Sequence, residues 1–325
     1  MTTQPDQPPA SGQGPYRIVM PDPFSNHLEA VERGLDGLDY ELVVASVENW
    51  VEAARDADAL IVNLVPVGKS ELESLNRCKV IARLGTGVDS VDVTAARQHG
   101  IAVTNVPDYC SEEVSDHVLA LMLSWLRHIP EASVDMSSKR WRQIDYRPIR
   151  RVSTQVMGLV GYGKLARAVA RKARGLGMRV IAFDPMLERD DTGMAELVPF
   201  EALVAQADIL SLHAPLTEKT RGMINDAVFA SMKPNALLIN AARGELVDEG
   251  ALIRALEAGK IGGAALDVFA SEPWLEDSPL RRDPRVLLTP HMAFYSEESL
   301  ASLEEQAARS IRDVLTGTGS PNIVN

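Results

Sequence analysis

The sequence contains little cysteine, and its two cysteines, Cys78 and Cys110, do not form a C-x-x-C pair. No histidines stand at a spacing that would complete a metal site, so we predict neither disulfides nor bound metal. Basic residues are outnumbered as well, because 33 Lys and Arg against 45 Asp and Glu give a formal net charge of -12. No segment is basic enough to bind a phosphate backbone, and we expect no nucleic-acid partner.

Long apolar runs are also missing from the sequence. The longest, Val118 to Leu126, is far shorter than the roughly 20 residues that cross a bilayer, and we expect it to be a buried helix. Residues 1–15 are polar and rich in Pro and Gln, without the basic and apolar regions of a secretion signal. They are therefore predicted to form a disordered tail. We expect a cytoplasmic protein that does not associate with membranes.

The chain does contain a regular alternation of short β-branched runs and segments of helical period. Five predicted strands and four predicted helices alternate between Tyr16 and Thr104. Two helical stretches follow, one from Ser111 to Arg127 and one from about Glu131 towards Arg140. The alternation then restarts, with strands predicted at 156–160, 179–183, 209–212, 236–239, 263–266 and 286–288. A last helix is predicted from Glu297 to Leu315. This order predicts an α/β fold with two doubly wound parallel sheets.

The sequence G-Y-G-K-L-A at residues 161–166 directly follows the predicted strand at 156–160 and precedes a helix. In a dinucleotide-binding turn, Gly161 would leave the strand tightly and Gly163 would let the backbone approach a pyrophosphate. Ala166 would let the helix pack on the strand. The residues predicted to surround the phosphates are thus Gly161, Tyr162, Gly163, Lys164 and Leu165. A tight strand-to-helix turn without a ligand remains the alternative.

Asp184 ends the next predicted strand, close to the spacing of about 20 residues at which an acid binds the ribose hydroxyls of NAD. A carboxylate there would repel the 2′-phosphate of NADP, and the following Pro185 and Met186 offer no cation to hold one. Asp184 therefore predicts NAD as the cofactor. The alternative is a turn aspartate before a proline.

Three further segments each place one ionisable residue after a predicted strand, where ligands collect in open α/β sheets. A guanidinium at Arg243 could bind the carboxylate and the developing oxyanion of a 2-oxo acid. An imidazole at His291 could donate the proton, and a carboxylate at Glu272 could fix its tautomer and stabilise its protonated form. Singly, these residues could be a surface arginine, a solvated acid and a histidine in a turn; together they predict one catalytic site.

These segments, together with L-G-T-G-V-D at residues 84–89, resemble the D-isomer-specific 2-hydroxyacid dehydrogenases across about residues 80–298. The runs that begin at Arg83 and Pro290 are most similar to the branch that contains the C-terminal binding proteins. The resemblance implies that a Rossmann NAD-binding domain, residues 106–290, is inserted into a flavodoxin-like substrate-binding domain, residues 16–105 and 291–325. It also implies an active site in the cleft, a dimerisation arm at about 111–140, and a homodimer.

The resemblance implies roles for further residues. The substrate would be bound by Arg83, Gly85, Thr86, Gly87 and Phe294. The nicotinamide amide would meet Asp267, and the adenosine side would be lined by His213, Pro215 and Thr220, although for His213 a buried structural role is an equal alternative. Further cofactor contacts are implied for Ala241, Ala242, His291 and Ala293. Phe294 departs from the branch, which has Trp there, so the substrate of that branch is not carried over. Surface or structural roles are expected for His27, His99, His117 and His128.

The function predicted from these residues is the NAD-dependent transfer of a hydride between nicotinamide and a small 2-oxo or 2-hydroxy acid, with D specificity. Two alternatives stay open. One is an NAD(H)-sensing scaffold that recruits partners and retains the site as a vestige. The other is a dehydrogenase for a specialised anion, such as phosphite or a phosphonate-bearing 2-oxo acid, suggested by Arg83, Arg142 and Arg147. Glu272 argues against formate dehydrogenase, which uses Gln at that position.

Overall fold

The computed structural model describes residues 14–24, 28–143, 145–146, 148–274 and 277–325. Most of the predicted disordered tail, together with His27 and Arg147, lies outside these residues. The chain forms two compact units: unit 1 is Met1–Tyr109 with Ser296–Asn325, and unit 2 is Cys110–Tyr295. Their boundaries fall a few residues after the predicted 105/106 and 290/291.

In the described part of unit 1, one parallel sheet has the strand order β2-β1-β3-β4-β5. The strands are β1 Tyr16–Met20, β2 Tyr40–Val44, β3 Ala59–Val62, β4 Val80–Arg83 and β5 Ala102–Thr104. The helices are α1 Glu29–Gly34, α2 Trp50–Ala54, α3 Lys69–Glu73, α4 Val93–Gln98 and the C-terminal helix Glu297–Leu315. This strand order is that of flavodoxin, so the predicted flavodoxin-like architecture is confirmed.

The sheet of unit 1 is covered on both faces, which explains the nearly continuous apolar run of β3, whose four residues are all buried. The C-terminal helix covers one face and packs tightly on α1 at Gly34. A Cβ at Gly34 would lie 2.4 Å from the carbonyl oxygen of Glu305. Ser296 begins the C-terminal helix by accepting a hydrogen bond from the backbone N–H of Ser299 at 2.9 Å.

The described part of unit 2 contains a parallel sheet in the order β12-β11-β10-β9-β6-β7-β8. Its strands are β6 Val156–Val160, β7 Arg179–Phe183, β8 Glu196–Leu197, β9 Ile209–Leu212, β10 Leu237–Asn240, β11 Gly263–Leu266 and β12 Val286–Leu288. Its helices are α5 Ser111–Leu126, α6 Ile129–Ser137, α7 Lys164–Gly175, α8 Phe200–Gln206, α9 Asp226–Ser231 and α10 Glu249–Glu257. The order reverses between β6 and β9, as in a Rossmann sheet, and confirms the predicted doubly wound fold.

Helix α6 ends earlier than the predicted stretch towards Arg140. Lys139 adopts a left-handed backbone with φ 59°, and the N–H of Arg140 bonds back to the carbonyl of Asp135 at 2.8 Å, which terminates the helix. The buried Asp135 carboxylate also accepts hydrogen bonds from the side chains of Arg140, Arg142 and Tyr146. Arg142 is therefore engaged within unit 2, where it shares the Asp135 carboxylate with Arg140.

None of the helices in the described residues combines the length and the apolar character that crossing a bilayer requires.

Candidate active site

Arg243 follows β10 at the carboxyl edge of the unit 2 sheet. The loop is shaped by the buried side chain of Asn240, which accepts from the N–H of Ala242 at 3.1 Å and donates to the carbonyl of Arg243 at 2.8 Å. The Arg243 guanidinium donates from Nη1 to the carbonyl of Ala242 at 2.7 Å. The loop therefore holds a half-buried cation at the end of β10, beside Ala241 and Ala242.

Gly244 brings the loop after β10 against the loop after β11. A Cβ at this position would lie 2.0 Å from the carbonyl carbon of Phe269 and 2.3 Å from the nitrogen of Ala270. Only glycine allows this contact, and it joins the loop that carries Arg243 to the loop that carries Glu272.

Glu272 is held at both carboxylate oxygens. Oε1 accepts the backbone N–H of Phe269 at 2.8 Å, and Oε2 lies 2.5 Å from Nδ1 of His291. Burial acts to raise the pKa of Glu272, but the hydrogen bonds from His291 and Phe269 and the nearby charges of His291 and Arg243 outweigh it. The pKa of Glu272 is therefore lowered, and the group is a carboxylate at neutral pH.

His291 lies in the loop after β12 with a left-handed backbone, φ 50°. A non-glycine residue in this conformation costs roughly 1–2 kcal/mol, and such strain concentrates at functional sites. The His291 N–H bonds to the carbonyl of Asp267 at 2.7 Å, which holds the conformation. Since Nδ1 faces Glu272, Nε2 is the ring nitrogen left to meet a substrate; the ring of Phe294 stands edge-on to it, with centroids 6.2 Å apart.

The fully buried carboxylate of Asp267 fastens the loop on both sides of His291. It accepts hydrogen bonds from the Thr289 hydroxyl at 2.6 Å, from the N–H of Met292 at 3.0 Å and from the N–H of Ala293 at 2.9 Å. His117 reaches Thr289 from α5, with Nε2 3.0 Å from the hydroxyl oxygen. The contact of Asp267 with nicotinamide stays a prediction, and these bonds add a positioning role.

Sequence reasoning missed the positioning residues Asn240, Gly244 and Thr289, and it saw no catalytic neighbour for His117. The pairing of Leu266 with Leu288 in the β11–β12 register makes residues 267 and 289 neighbours. A sequence shows each strand but not which strands pair, so this signal was readable only after the sheet order was known.

The glycine loop after β6 has the geometry of a pyrophosphate cradle. Gly161 has φ 84°, and a Cβ there would lie 2.9 Å from the backbone of His213 and Ala214, so the segment directly after β9 approaches the turn closely. Gly163 begins α7 without a side-chain cap, and a Cβ there would meet no heavy atom within 4 Å. Lys164 and Leu165 follow in the first turn of α7, and a helix N-terminus directly after a glycine turn fits a dinucleotide phosphate.

Asp184 is tied to the same loop. Its carboxylate accepts the N–H of Tyr162 and the N–H of Met186, each at 2.9 Å. The Tyr162 ring is fully buried, and its hydroxyl donates to Asp190 at 3.1 Å. The Asp190 carboxylate also accepts the backbone N–H groups of Thr192, Met194 and Ala195. The acid expected at the ribose thus lies next to the glycine loop, and Asp190, missed in the sequence, anchors the segment that follows it.

The residues expected on the adenosine side lie after β9. Thr220 donates from its hydroxyl to the carbonyl of Pro215 at 2.7 Å, which closes the turn between them. His213 lies with Nε2 2.9 Å from the hydroxyl of the buried Ser211, and burial lowers the pKa of His213 to about 4. The imidazole is therefore neutral near pH 7. Both roles predicted for it, cofactor contact and buried structural residue, are compatible with this position.

His213 should make the protein sensitive to acid. A histidine in the unfolded chain has a pKa near 6.5, so between pH 8 and pH 5 the unfolded state binds a proton there whereas the folded state does not. Over this range, the free energy of unfolding should fall by about 2 kcal/mol because of this residue. His213→Asn should remove this contribution to the pH dependence of the free energy of unfolding. Urea unfolding of the ligand-free variant at the two pH values tests this, with the exposed His99→Asn as control; equal pH sensitivity in both variants would contradict it.

The residues expected to bind the substrate carboxylate lie in unit 1, at the end of β4 and in the turn that follows it. Gly85 has φ 144°, and a Cβ there would lie 1.7 Å from Nη1 of Arg83, so glycine lets this guanidinium fold across the turn. The Thr86 carbonyl accepts from Asn105 at 2.7 Å and fixes the turn before Gly87. These residues share one loop, whereas Arg243, Glu272, His291 and Phe294 belong to unit 2.

Unit 2 thus carries a glycine loop with an acid beside it at the carboxyl end of a doubly wound sheet, the arrangement typical of dinucleotide-binding domains. Residues 119–293, more than half of the chain, match the family model described as "D-isomer specific 2-hydroxyacid dehydrogenase, NAD binding domain". The chain therefore belongs to the D-isomer specific 2-hydroxyacid dehydrogenase family. The match confirms the predicted family and NAD as the cofactor of this domain, whereas the C-terminal binding protein branch stays a prediction.

Similar proteins support the assignment of the chain to this family. A D-3-phosphoglycerate dehydrogenase of Synechocystis is 38% identical over 85% of this chain and 50% of its own length, so the chain spans about half of that relative. A glyoxylate reductase of Korarchaeum cryptofilum is 36% identical over 91% of this chain and 94% of its own. A solved D-lactate dehydrogenase of Aquifex aeolicus, complexed with NAD and lactic acid, has a TM-score of 0.83 at 25% identity, covering 93% and 96% of the two chains.

Proposed function

We propose that the protein is an NAD-dependent dehydrogenase that interconverts a small 2-oxo acid and the corresponding D-2-hydroxy acid. The observation that carries the proposal is the pair formed by Nδ1 of His291 and the Glu272 carboxylate at 2.5 Å. Arg243 follows the strand next to that of Glu272, and its charge acts on the Glu272 carboxylate. A cation, a proton donor and its buttressing acid are the groups that carbonyl reduction requires.

When bound, NADH supplies the hydride that adds to the carbonyl carbon. The Arg243 guanidinium binds the carbonyl oxygen and a carboxylate oxygen, and so stabilises the negative charge that develops as the C=O bond becomes a C–O single bond. Protonated His291 then donates its Nε2 proton to that oxygen, which yields the hydroxy acid and leaves a neutral imidazole. Glu272 stabilises the protonated imidazole before transfer and keeps its orientation.

The finer assignments are part of this proposal. Arg83 and the backbone of Gly85, Thr86 and Gly87 bind the substrate carboxylate, and Phe294 forms an aromatic wall beside His291. Asp184 selects NAD over NADP. The protein is a cytoplasmic homodimer that uses residues 111–140 as its arm. The exposure of three large apolar side chains of α6, between 56% and 58%, supports the arm. They are Ile129, Val134 and Met136.

The test of this function is NADH oxidation by the purified protein across a panel of 2-oxo acids, with NADPH in parallel. We expect turnover of at least one 2-oxo acid, a D product by chiral chromatography, and a lower kcat/KM with NADPH. No turnover across the panel and with phosphite, combined with NAD-dependent capture of a specific protein, would contradict the enzyme and favour the scaffold.

A further inference from the structure

Residues 320–325, which we call the strap, lie along the outer side of β5, the edge strand of the described unit 1 sheet. The strap pairs with β5 in antiparallel orientation at Thr104. The N–H of Val324 donates to the carbonyl of Val103 at 2.9 Å. An edge strand presents unpaired N–H and carbonyl groups, and the strap satisfies part of those of β5.

The side chain of Asn325 extends this pairing. Its Oδ1 accepts the N–H of Val103 at 2.9 Å, and its Nδ2 donates to the carbonyl of Ile101 at 2.8 Å. The carboxamide thus satisfies two edge groups of β5 as a peptide group would. Ser320 fastens the other end of the strap, because its hydroxyl lies 3.2 Å from that of the buried Ser310 on the C-terminal helix.

Asn105 connects the strap to the turn predicted to bind the substrate carboxylate. Its backbone N–H donates to the carbonyl of Asn322 in the strap at 3.2 Å, and its side-chain Nδ2 donates to the carbonyl of Thr86 at 2.7 Å. The next residue, Val106, donates its N–H to the carbonyl of Gly85 at 2.9 Å. The segment after β5 therefore holds two successive carbonyl groups of the turn.

These two carbonyl groups determine where the turn directs its donors. A trans peptide is planar, and its C=O and N–H point in opposite directions. Since both carbonyls point towards residues 105–106, the N–H groups of Thr86 and Gly87 point away from that segment. Within the described residues, neither of these N–H groups donates to another backbone group. Two adjacent N–H groups of this kind can bind a carboxylate.

We propose that Asn105 positions the carboxylate-binding turn and that the strap acts on substrate binding through Asn105. The inference rests on the proposed function and adds positioning residues to it. Loss of the Asn105 side chain releases the Thr86 carbonyl, and with it the orientation of the Gly87 N–H. The carboxylate is unchanged by the reaction, so this loss weakens binding in the ground state and the transition state alike. It therefore raises KM for the 2-oxo acid and leaves kcat almost unchanged.

The first test is Asn105→Ala, assayed by steady-state reduction of a 2-oxo acid with NADH. We expect KM for the 2-oxo acid to rise about tenfold, the effect of losing a hydrogen bond whose acceptor stays behind. In contrast, kcat and KM for NADH should stay within about twofold. Asn76→Ala is the matched control, since Asn76 also donates from Nδ2, at 3.0 Å to the exposed Asp56 of the same unit. This control should leave all three constants unchanged.

The outcomes separate this inference from the proposed function. If the unaltered protein reduces a 2-oxo acid and Asn105→Ala keeps its KM, the inference is overturned and the proposed function stands. A variant in which kcat falls while KM is unchanged would have the same meaning. Reduction of no 2-oxo acid by the unaltered protein would overturn both.

Val324→Pro tests the strap, because proline removes the N–H that bonds to Val103. It should raise KM for the 2-oxo acid about threefold, and Asn325→Ala, which leaves the backbone unaltered, should act in the same direction. Val324→Ala keeps the N–H and should have the smaller effect. Because the strap acts through Asn105, Val324→Pro should add less than its own factor in the Asn105→Ala background. Full multiplication of the two factors, or an unchanged KM in both Val324→Pro and Asn325→Ala, would overturn the role of the strap.

Discussion

Replacing Arg243 with alanine is expected to lower kcat/KM for the 2-oxo acid by about 10³-fold, the loss that follows removal of a charge-stabilising donor at an oxyanion. In the proposed mechanism, the Arg243 guanidinium binds both the ground-state carboxylate and the developing negative charge, so KM should rise and kcat should fall. Steady-state kinetics of the reductive reaction measure both constants. Arg243→Lys should recover only part of the loss, because an ammonium cannot form the two-pronged contact.

Arg254→Ala is the matched control for this variant. Arg254 lies on α10 of the same unit, is 57% exposed, and pairs with Asp226 at the surface. Its removal should leave kcat/KM within about twofold, since exposed ion pairs contribute little. If the Arg243 and Arg254 variants behaved alike, Arg243 would have no part in the reaction.

His291→Asn is expected to lower kcat of the reductive reaction by about 10² to 10⁴-fold, measured by steady-state kinetics at saturating NADH. Asparagine tolerates the left-handed backbone of this position, so the loop should keep its shape. Its side-chain amide, however, cannot transfer a proton to the substrate oxygen as a protonated imidazole does. His128 offers a close control: it is also left-handed, φ 53°, and its Nδ1 lies 2.9 Å from the acid Glu131. His128→Asn should retain activity; comparable losses in the two variants would contradict the assignment of the proton donor.

The charge of Glu272 should affect how kcat of the reductive reaction depends on pH. Because its pKa is lowered, Glu272 is charged throughout the neutral range and favours the protonated form of the adjacent imidazole. Glu272→Gln keeps the shape but removes the charge, so the decline of kcat with rising pH should begin at a lower pH. A profile that coincides with that of the unaltered protein would show that the carboxylate only holds the loop.

Strands and helices with a regular pattern of apolar residues could be predicted from the sequence. Features that depend on which strands pair with each other could not. Six strands of unit 2 follow β-branched or small apolar runs, and five of them have the predicted bounds; β10 is shifted by one residue, to Leu237–Asn240. The two-residue strand β8 is too short to produce a period and was not predicted. The proposed catalytic side chains were recognisable because each follows a strand, whereas Asp190 is an ordinary turn residue in the sequence, and only its hydrogen bonds in the fold show that it anchors the segment after β7.

The site residues differ in the same way. Arg243, Glu272 and His291 could be proposed from chemistry, since carbonyl reduction calls for those groups. The bonds from Asp267 to Thr289, Met292 and Ala293 could not, because they depend on which strand lies next to β11. The chemistry of a reaction limits which residue types can carry it out, so such residues can be recognised in a sequence. The identity of a positioning residue depends on contacts with residues far away in the chain, which the sequence does not show.

The contact at Gly244 also determines which parts of the site can be redesigned independently. With 2.0 Å between a hypothetical Cβ and the Phe269 carbonyl carbon, no side chain can be introduced there without separating the two loops. A library that randomises residues 241–244 would therefore recover few active clones unless glycine is kept at 244.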